Sequence, residues 1–372
     1  MKIKTITCHH VYNYGATLQA FALQSYLESQ GHEVEILDYR LPGMVRYEWF
    51  AKYPPLRGTI AKCVRILPFL IYIYYPLKRR SNLKWWGRKK AFDKFDKTYL
   101  HISVSTFRTI EEIRQFSPKA DLYIAGSDQI WNTDMQNGLD EGYYLDFGSA
   151  ETKRISYAAS FGISEIPNEL KSFVASHLRK FNKISVREAT GLKILQDLGI
   201  DGIQVVDPVF LLSKREWMTR LDLKETLKDY IFLYDFTHDD QSIQSFALDL
   251  QKQTGLNLVS VNDYGETPYA NKQVNNAGPK EFLQLLMNAR YVVCNSFHAT
   301  AFSLIFHKDF ATFPLVRQRN SSRMSDLLKS VGLIERLKPV KTESLKHSID
   351  WELVDSRLSR PIAMSKQYLE VK

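Results

Sequence analysis

Apolar positions along the chain recur in two alternating rhythms. Short β-branched runs are followed by stretches in which apolar residues return every third or fourth position, the mark of a helix with one buried face. Residues 2–8 predict a first strand, residues 17–30 a helix with Ala16, Ala20, Leu23 and Leu27 on one side and Gly31 as its stop, and residues 33–38 a second strand. After a break the rhythm returns. A helix is predicted around 106–116, strands at 120–125, 154–160, 183–187 and 203–206, and helices at 170–181 and 188–198. A second series starts near Tyr230, with strands at 230–234, 256–261, 291–294 and 309–313 and helices at 240–254, 279–287 and near 324–331. Strands alternating with helices predict an α/β protein with parallel sheets. At 372 residues the chain is too long for one compact core. The expected organisation is two Rossmann-like doubly wound domains, 1–215 and 225–350, facing across a cleft. Residues 351–372, helical from about Ser356, are expected to pack back on the first domain.

Residues 42–105 break the pattern. Pro42, Pro54, Pro55, Pro68 and Pro76 punctuate them, and residues 66–77 form an apolar and aromatic run too short to cross a bilayer as a helix. Between positions 46 and 97 stand fourteen Lys or Arg against three acidic residues, so this one segment accounts for the chain's net charge of +9. Basic flanks that include Arg57, Lys78, Arg79, Arg88, Lys89 and Lys90, with Trp85 and Trp86 beside them, predict contact with a membrane surface through about 57–90. The alternative is a buried insertion or a dimer contact with a solvated basic rim. No nucleic-acid module accompanies the charge, and no nucleic-acid partner is expected.

Three cysteines, Cys8, Cys63 and Cys294, lie far apart without metal-ligand spacing. No metal is expected. No G-x-G-x-x-G stretch is present, so a dinucleotide cofactor has no support. The N-terminus lacks the apolar core of a signal peptide, and the expected location is cytoplasmic, peripheral on the inner face of the membrane.

The stretch with most chemistry is 291–306, YVVCNSFHATAFSLIF. Its strand leads through Asn295 and Ser296, good cap residues, into a helix whose first turn carries His298. A helix N-terminus at the carboxyl end of a parallel sheet is a ready anion site, and an imidazole beside it titrates near neutrality. The alternative is a histidine that only packs or caps. His9, His10 and Asn13 occupy the turn after the first strand, and Asp128 ends the strand at 120–125. Trp131 follows, as a platform for a sugar ring or as a packing residue. Arg187 and Asp207 both terminate strands, where they bind a ligand or pair with one another.

The segment Asn295-Ser296-Phe297-His298-Ala299-Thr300-Ala301-Phe302-Ser303 resembles the C-terminal signature of the polysaccharide pyruvyl transferase family. Further similar blocks occur in order at 13–20 (NYGATLQA), 126–132 (GSDQIWN), 156–162 (SYAASFG), 185–188 (SVRE) and 207–212 (DPVFLL). The resemblance implies a GT-B architecture and transfer of the pyruvyl group of phosphoenolpyruvate, a co-substrate rather than a resident cofactor. The group would pass to two hydroxyls of a sugar in a surface polysaccharide or its lipid-linked precursor, forming a cyclic ketal and releasing phosphate. It points to His298 as the acid; Asp128, at its strand end, is the candidate base or an acceptor-sugar ligand, or else caps the next segment. The donor would be bound by Arg187, Ser296, Phe297 and one or more of Arg317, Arg319 and Arg323, and the acceptor by His9, His10, Asn13, Tyr14, Gly15, Ser127 and Trp131. Better-studied members commonly carry an arginine two residues before the histidine, where this chain has Ser296. A hydroxyl supplies no charge or bidentate fork, so another arginine must serve or the donor differs. The alternatives are a glycosyltransferase using a nucleotide sugar and a non-catalytic glycan-assembly protein.

Overall fold

The computed structural model describes residues 1–41, 69, 74, 83–238, 240–263, 265–315 and 322–370. Seven parallel strands form the first sheet: β1 (Lys2–Ile6), β2 (Glu33–Tyr39), β3 (Ile102–Phe107), β4 (Leu122–Asp128), β5 (Lys153–Ala159), β6 (Ser185–Val186) and β7 (Ile203–Gln204), in the order β3-β2-β1-β4-β5-β6-β7. Five parallel strands form the second: β8 (Tyr230–Tyr234), β9 (Asn257–Val261), β10 (Lys272–Val274), β11 (Tyr291–Cys294) and β12 (Asp309–Thr312), in the order β10-β9-β8-β11-β12. Each strand order reverses direction once, between β1 and β4 in the first sheet and between β8 and β11 in the second. Loops diverge at such a switch point and leave a crevice beyond the strand ends. The two crevices open toward each other.

The halves share one hydrophobic cluster, which runs from Ile36 and Ile124 in the first sheet to Phe232 and Val292 in the second. Tyr14, in the helix Tyr14–Ser29, stacks on Phe282 at 4.3 Å and donates to the Ala277 carbonyl at 2.9 Å. Trp217 meets Phe302 edge-on at 5.0 Å. The last helix, Trp351–Tyr368, starts five residues before the expected Ser356 and spans both halves. Its Arg357 donates to the Val331 carbonyl, while Ser365 Oγ accepts from Val206 N and Tyr368 donates to the Ser156 carbonyl.

The structure corrects the sequence reading at several places. Residues 102–107 are edge strand β3, and the helix placed at 106–116 is shorter, Ile110–Gln115, capped by Thr109. Serines and a fully exposed Val104 on that edge mask the strand pattern. The helix Trp86–Tyr99 was hidden inside the basic segment. It buries Phe92 and Phe95 and returns those residues to the first domain. The helix Lys214–Leu221 and strand β10 were not foreseen either. Two members of the proposed membrane-facing rim, Trp85 and Arg88, are buried. The rest of the membrane-contact expectation falls mainly on 57–82, where only residues 69 and 74 are described. No described helix is long and apolar enough to cross a membrane.

Candidate functional site

The two crevices enclose a cavity of about 460 Å³, lined by Asn13 and Asp128 from the first half and by Tyr234, Phe236, Asn295 and His298 from the second. Ser296 caps the helix Phe297–Ile305, its Oγ accepting from Ala299 N. His298 stands in the first turn, and its Nε2 lies 3.4 Å from Asp207 Oδ2, across the domain boundary. The ring rests on the helix start of the other half. A Cβ on Gly15 would stand 1.9 Å from His298 Nδ1, so the imidazole has room only because position 15 is glycine.

Asp207 is sealed from solvent and serves two cationic or titratable partners, since Arg187 Nη1 also donates to its Oδ2 at 2.7 Å, while its Oδ1 accepts from Val209 N. Burial alone would raise this carboxyl, but His298 and Arg187 outweigh it and hold Asp207 well below the usual carboxylate range. Arg187 is only 5% exposed. Its Nη2 lies 3.8 Å from Asp128 and its guanidinium packs over the Phe297 ring at 5.0 Å. The Nε and Nη2 groups of Arg187 are buried without a hydrogen-bond partner, and so is Nε of Arg323. Arg323 comes from the helix Ser322–Val331 and lines the cavity; burial first, then the neighbouring Arg187, pushes its pKa down. A second cavity of about 300 Å³ lies behind Phe297 and Arg323, with Leu358 and Met364 of the last helix among its walls.

Asp128 is aimed by backbone strain. Ser127 and Asp128 have φ of 26° and 65°, in the left-handed region that side chains disfavour, and the end of β4 is held there by Ser160 N donating to the Asp128 carbonyl at 2.9 Å. Outliers of this kind concentrate where a side chain must point against the ordinary run of its strand.

Of the proposed donor residues, Arg187, Ser296, Phe297 and Arg323 gather around His298, while Arg317 and Arg319 lie outside the described residues. The proposed acceptor residues disperse. His9 is buried between the Asp38 carboxylate at 3.2 Å and the Thr7 carbonyl, not in the crevice. His10 lies tilted against the Tyr12 ring at 5.1 Å, and burial, then Arg40, lowers its pKa to about 3. Tyr14 joins the two halves, and Ser127 is wholly buried. Trp131 packs between Tyr144 and Phe161 and donates to the Tyr143 carbonyl, so it presents no face to the cavity. Only Asn13 and Gly15 keep a place at the site. Sequence reasoning missed Gln129 and Asn137, which line the cavity just past β4. Their signal was an amide-rich stretch directly after a strand at the switch point.

Two crevices at paired switch points, with an imidazole, two arginines and carboxylates between them, define the class: a two-domain α/β protein of the GT-B type. Among solved structures, UDP-GlcNAc 2-epimerase from Methanocaldococcus jannaschii superposes with a TM-score of 0.51 at 12% identity, over 94% of this chain and 93% of that one. The same enzyme in complex with UDP-GlcNAc and UDP gives 0.51 at 12% identity, over 98% and 100%. At such identity the likeness concerns the fold. No curated protein sequence matches the chain significantly. The family model described as polysaccharide pyruvyl transferase matches residues 13–314, and the chain belongs to that family.

Proposed function

We propose that the protein transfers the pyruvyl group of phosphoenolpyruvate to two hydroxyls of one sugar residue of a surface polysaccharide or its lipid-linked precursor. The observation that carries this reading is Arg187, a buried cation beside Arg323 and next to the His298–Asp207 pair, whose Nε and Nη2 make no hydrogen bond and meet Glu188 and Asp128 only at 3.5 and 3.8 Å. Unmet donors of a permanently charged group sealed from water are costly unless an anion completes them. Phosphoenolpyruvate brings a carboxylate and a phosphate. Arg323 reaches the cavity from a different helix and supplies the charge that Ser296 does not.

The chemistry balances on these residues. His298 gives a proton to the methylene carbon, which becomes the methyl group, and the adjacent carbon turns electrophilic. The first sugar hydroxyl adds there and passes its proton to Asp128. The second hydroxyl then displaces phosphate as the C–O bond to it breaks, closing the ketal; its proton returns to His298, and Asp128 passes its own to the departing phosphate. Asp207, held ionised, keeps the imidazole oriented.

The test is a thermal-shift titration with phosphoenolpyruvate, using inorganic phosphate and UDP as controls. Stabilisation by phosphoenolpyruvate beyond that by phosphate is expected, about 2.7 kcal/mol at one hundred times the dissociation constant. A response to UDP alone would overturn the donor and favour a nucleotide-sugar enzyme.

A further inference from the structure

Arg187 and Glu188 follow one another in the chain, are both buried, and do not close on each other. Arg187 Nε stands 3.5 Å from Glu188 Oε2, and neither atom makes a hydrogen bond. Nε and Nη2 form one edge of the guanidinium, the edge that takes a carboxylate as a two-pronged fork. A buried carboxylate beside that edge is expected to fill it, so something holds the pair apart.

Ser160, just past β5, does so from one side. Its hydroxyl donates to Glu188 Oε1 at 2.5 Å and accepts from Gly162 N at 3.1 Å, which fixes the direction of its hydrogen. Its backbone is fixed as well: Ser160 N donates to the Asp128 carbonyl, and Trp131 N donates to the Ser160 carbonyl. From the other side Asp207 draws Arg187 away through Nη1 at 2.7 Å, and the Phe297 ring lies against the guanidinium at 5.0 Å. Arg323 and Asp326, from the helix Ser322–Val331, also feel the Glu188 charge, one attracted and one repelled.

From this we infer that Ser160 is a positioning residue for the donor: it tethers Glu188 and so keeps the Nε and Nη2 edge of Arg187 open for an anion. The inference rests on the reading of Arg187 as a ligand of phosphoenolpyruvate. Ser160 acts through Glu188 and touches no substrate itself. Without the tether Oε2 has about 0.6 Å to travel, from 3.5 Å to the roughly 2.9 Å of a charge-assisted hydrogen bond. Glu188 would then occupy the fork that the donor needs.

The experiment is calorimetric titration of phosphoenolpyruvate into the full chain and its variants. Ser160→Ala keeps both backbone contacts and removes the hydroxyl, with the bond from Gly162 N. It should weaken phosphoenolpyruvate by about tenfold or more, the scale of a charge-assisted contact closed against the ligand. In a Glu188→Gln background, which has no carboxylate to close on Arg187, the same substitution should change the affinity by less than about twofold. Ser160→Cys keeps most of the volume with a weaker donor and should lose less than Ser160→Ala. Melting without ligand checks that each variant is folded. A serine with only a structural role would lower the melting temperature in both backgrounds and leave donor affinity indifferent to residue 188. Unchanged or tighter donor binding in Ser160→Ala, or an equal loss in both backgrounds, overturns the inference. Failure of the parent chain to bind phosphoenolpyruvate sinks the donor reading, and the inference with it.

Discussion

Two buried arginines sit at the junction of the halves, and they are completed in opposite ways. Arg88 is wholly enclosed: it pairs with Asp263 at 3.0 Å across the domain boundary, donates to the Tyr12 carbonyl at 2.8 Å, and lies over the rings of Tyr14 and Phe92. Arg187 is nearly as buried, but its Nε and Nη2 make no hydrogen bond and only approach Glu188 and Asp128, at 3.5 and 3.8 Å. A guanidinium cannot shed its charge, so the protein must complete its contacts or leave them for a ligand. Arg88 is a fastening; Arg187 is an opening.

Substitution by methionine separates the two. Arg187→Met should abolish the phosphoenolpyruvate thermal shift and lower acceptor-dependent phosphate release by about a thousandfold, the scale on which a preorganised charge at a reacting centre acts. Its effect on stability should be the smaller of the pair, because Nη1 alone makes a hydrogen bond, to Asp207, while Nε and Nη2 stand off at 3.5 and 3.8 Å from Glu188 and Asp128. Arg88→Met leaves Asp263 buried without its cation and should cost about 3–5 kcal/mol in denaturant unfolding. An unfolding midpoint lowered more by Arg187→Met than by Arg88→Met would break the distinction.

The sequence carried the architecture because short apolar strand runs alternate with helical periodicity along most of the chain. Strands at 230–234 and 291–294 were bounded as the structure has them, since buried parallel strands are uniformly apolar. It failed at the edges and inside the basic segment. Charge density drew the eye to a surface role for Arg88, whose partner Asp263 stands far along the chain and has no local signature. The site divided in the same way. His298, Asp128, Arg187 and Arg323 were legible as polar residues at strand and helix ends, where parallel sheets put their ligands. His9, Tyr14 and Trp131 look the same in sequence, and only the fold shows their polar atoms satisfied by Asp38, Ala277 and Tyr143.

Gly15 lies between the two arginine regions, next to Tyr14 on one side and under His298 on the other. Alanine normally favours a helix over glycine by about 0.5–1 kcal/mol, yet its Cβ would have to occupy the space of the imidazole. Gly15→Ala should therefore reduce turnover by about a hundredfold by displacing His298, with the thermal shift by phosphoenolpyruvate retained. Loss of that thermal shift along with turnover would mean that the substitution spreads to Arg187 and that the two regions are not separable.

The smallest effect probes whether an unmet buried group must await a ligand. Asp96, on the same helix as Arg88, has a sealed Oδ1 without a partner, but unlike an arginine it can escape by taking a proton. Burial first, then Asp93, raises its pKa to about 8, while Arg40 and Lys89 oppose them. In the unfolded chain the same carboxyl titrates near 3.9. The folded form thus holds a proton that the unfolded form loses. Asp96's contribution is fully present below about pH 4, declines as pH rises toward 8, and is level beyond. Asp96→Asn mimics the protonated state at every pH. Variant and parent should unfold at similar denaturant concentrations near pH 4, and the variant should lead by about 1 kcal/mol or more at pH 8. Parallel stability curves across that range would mean that Asp96 stays ionised in the fold. An unmet buried carboxylate would then have to be explained as Arg187 is, by something that arrives to complete it.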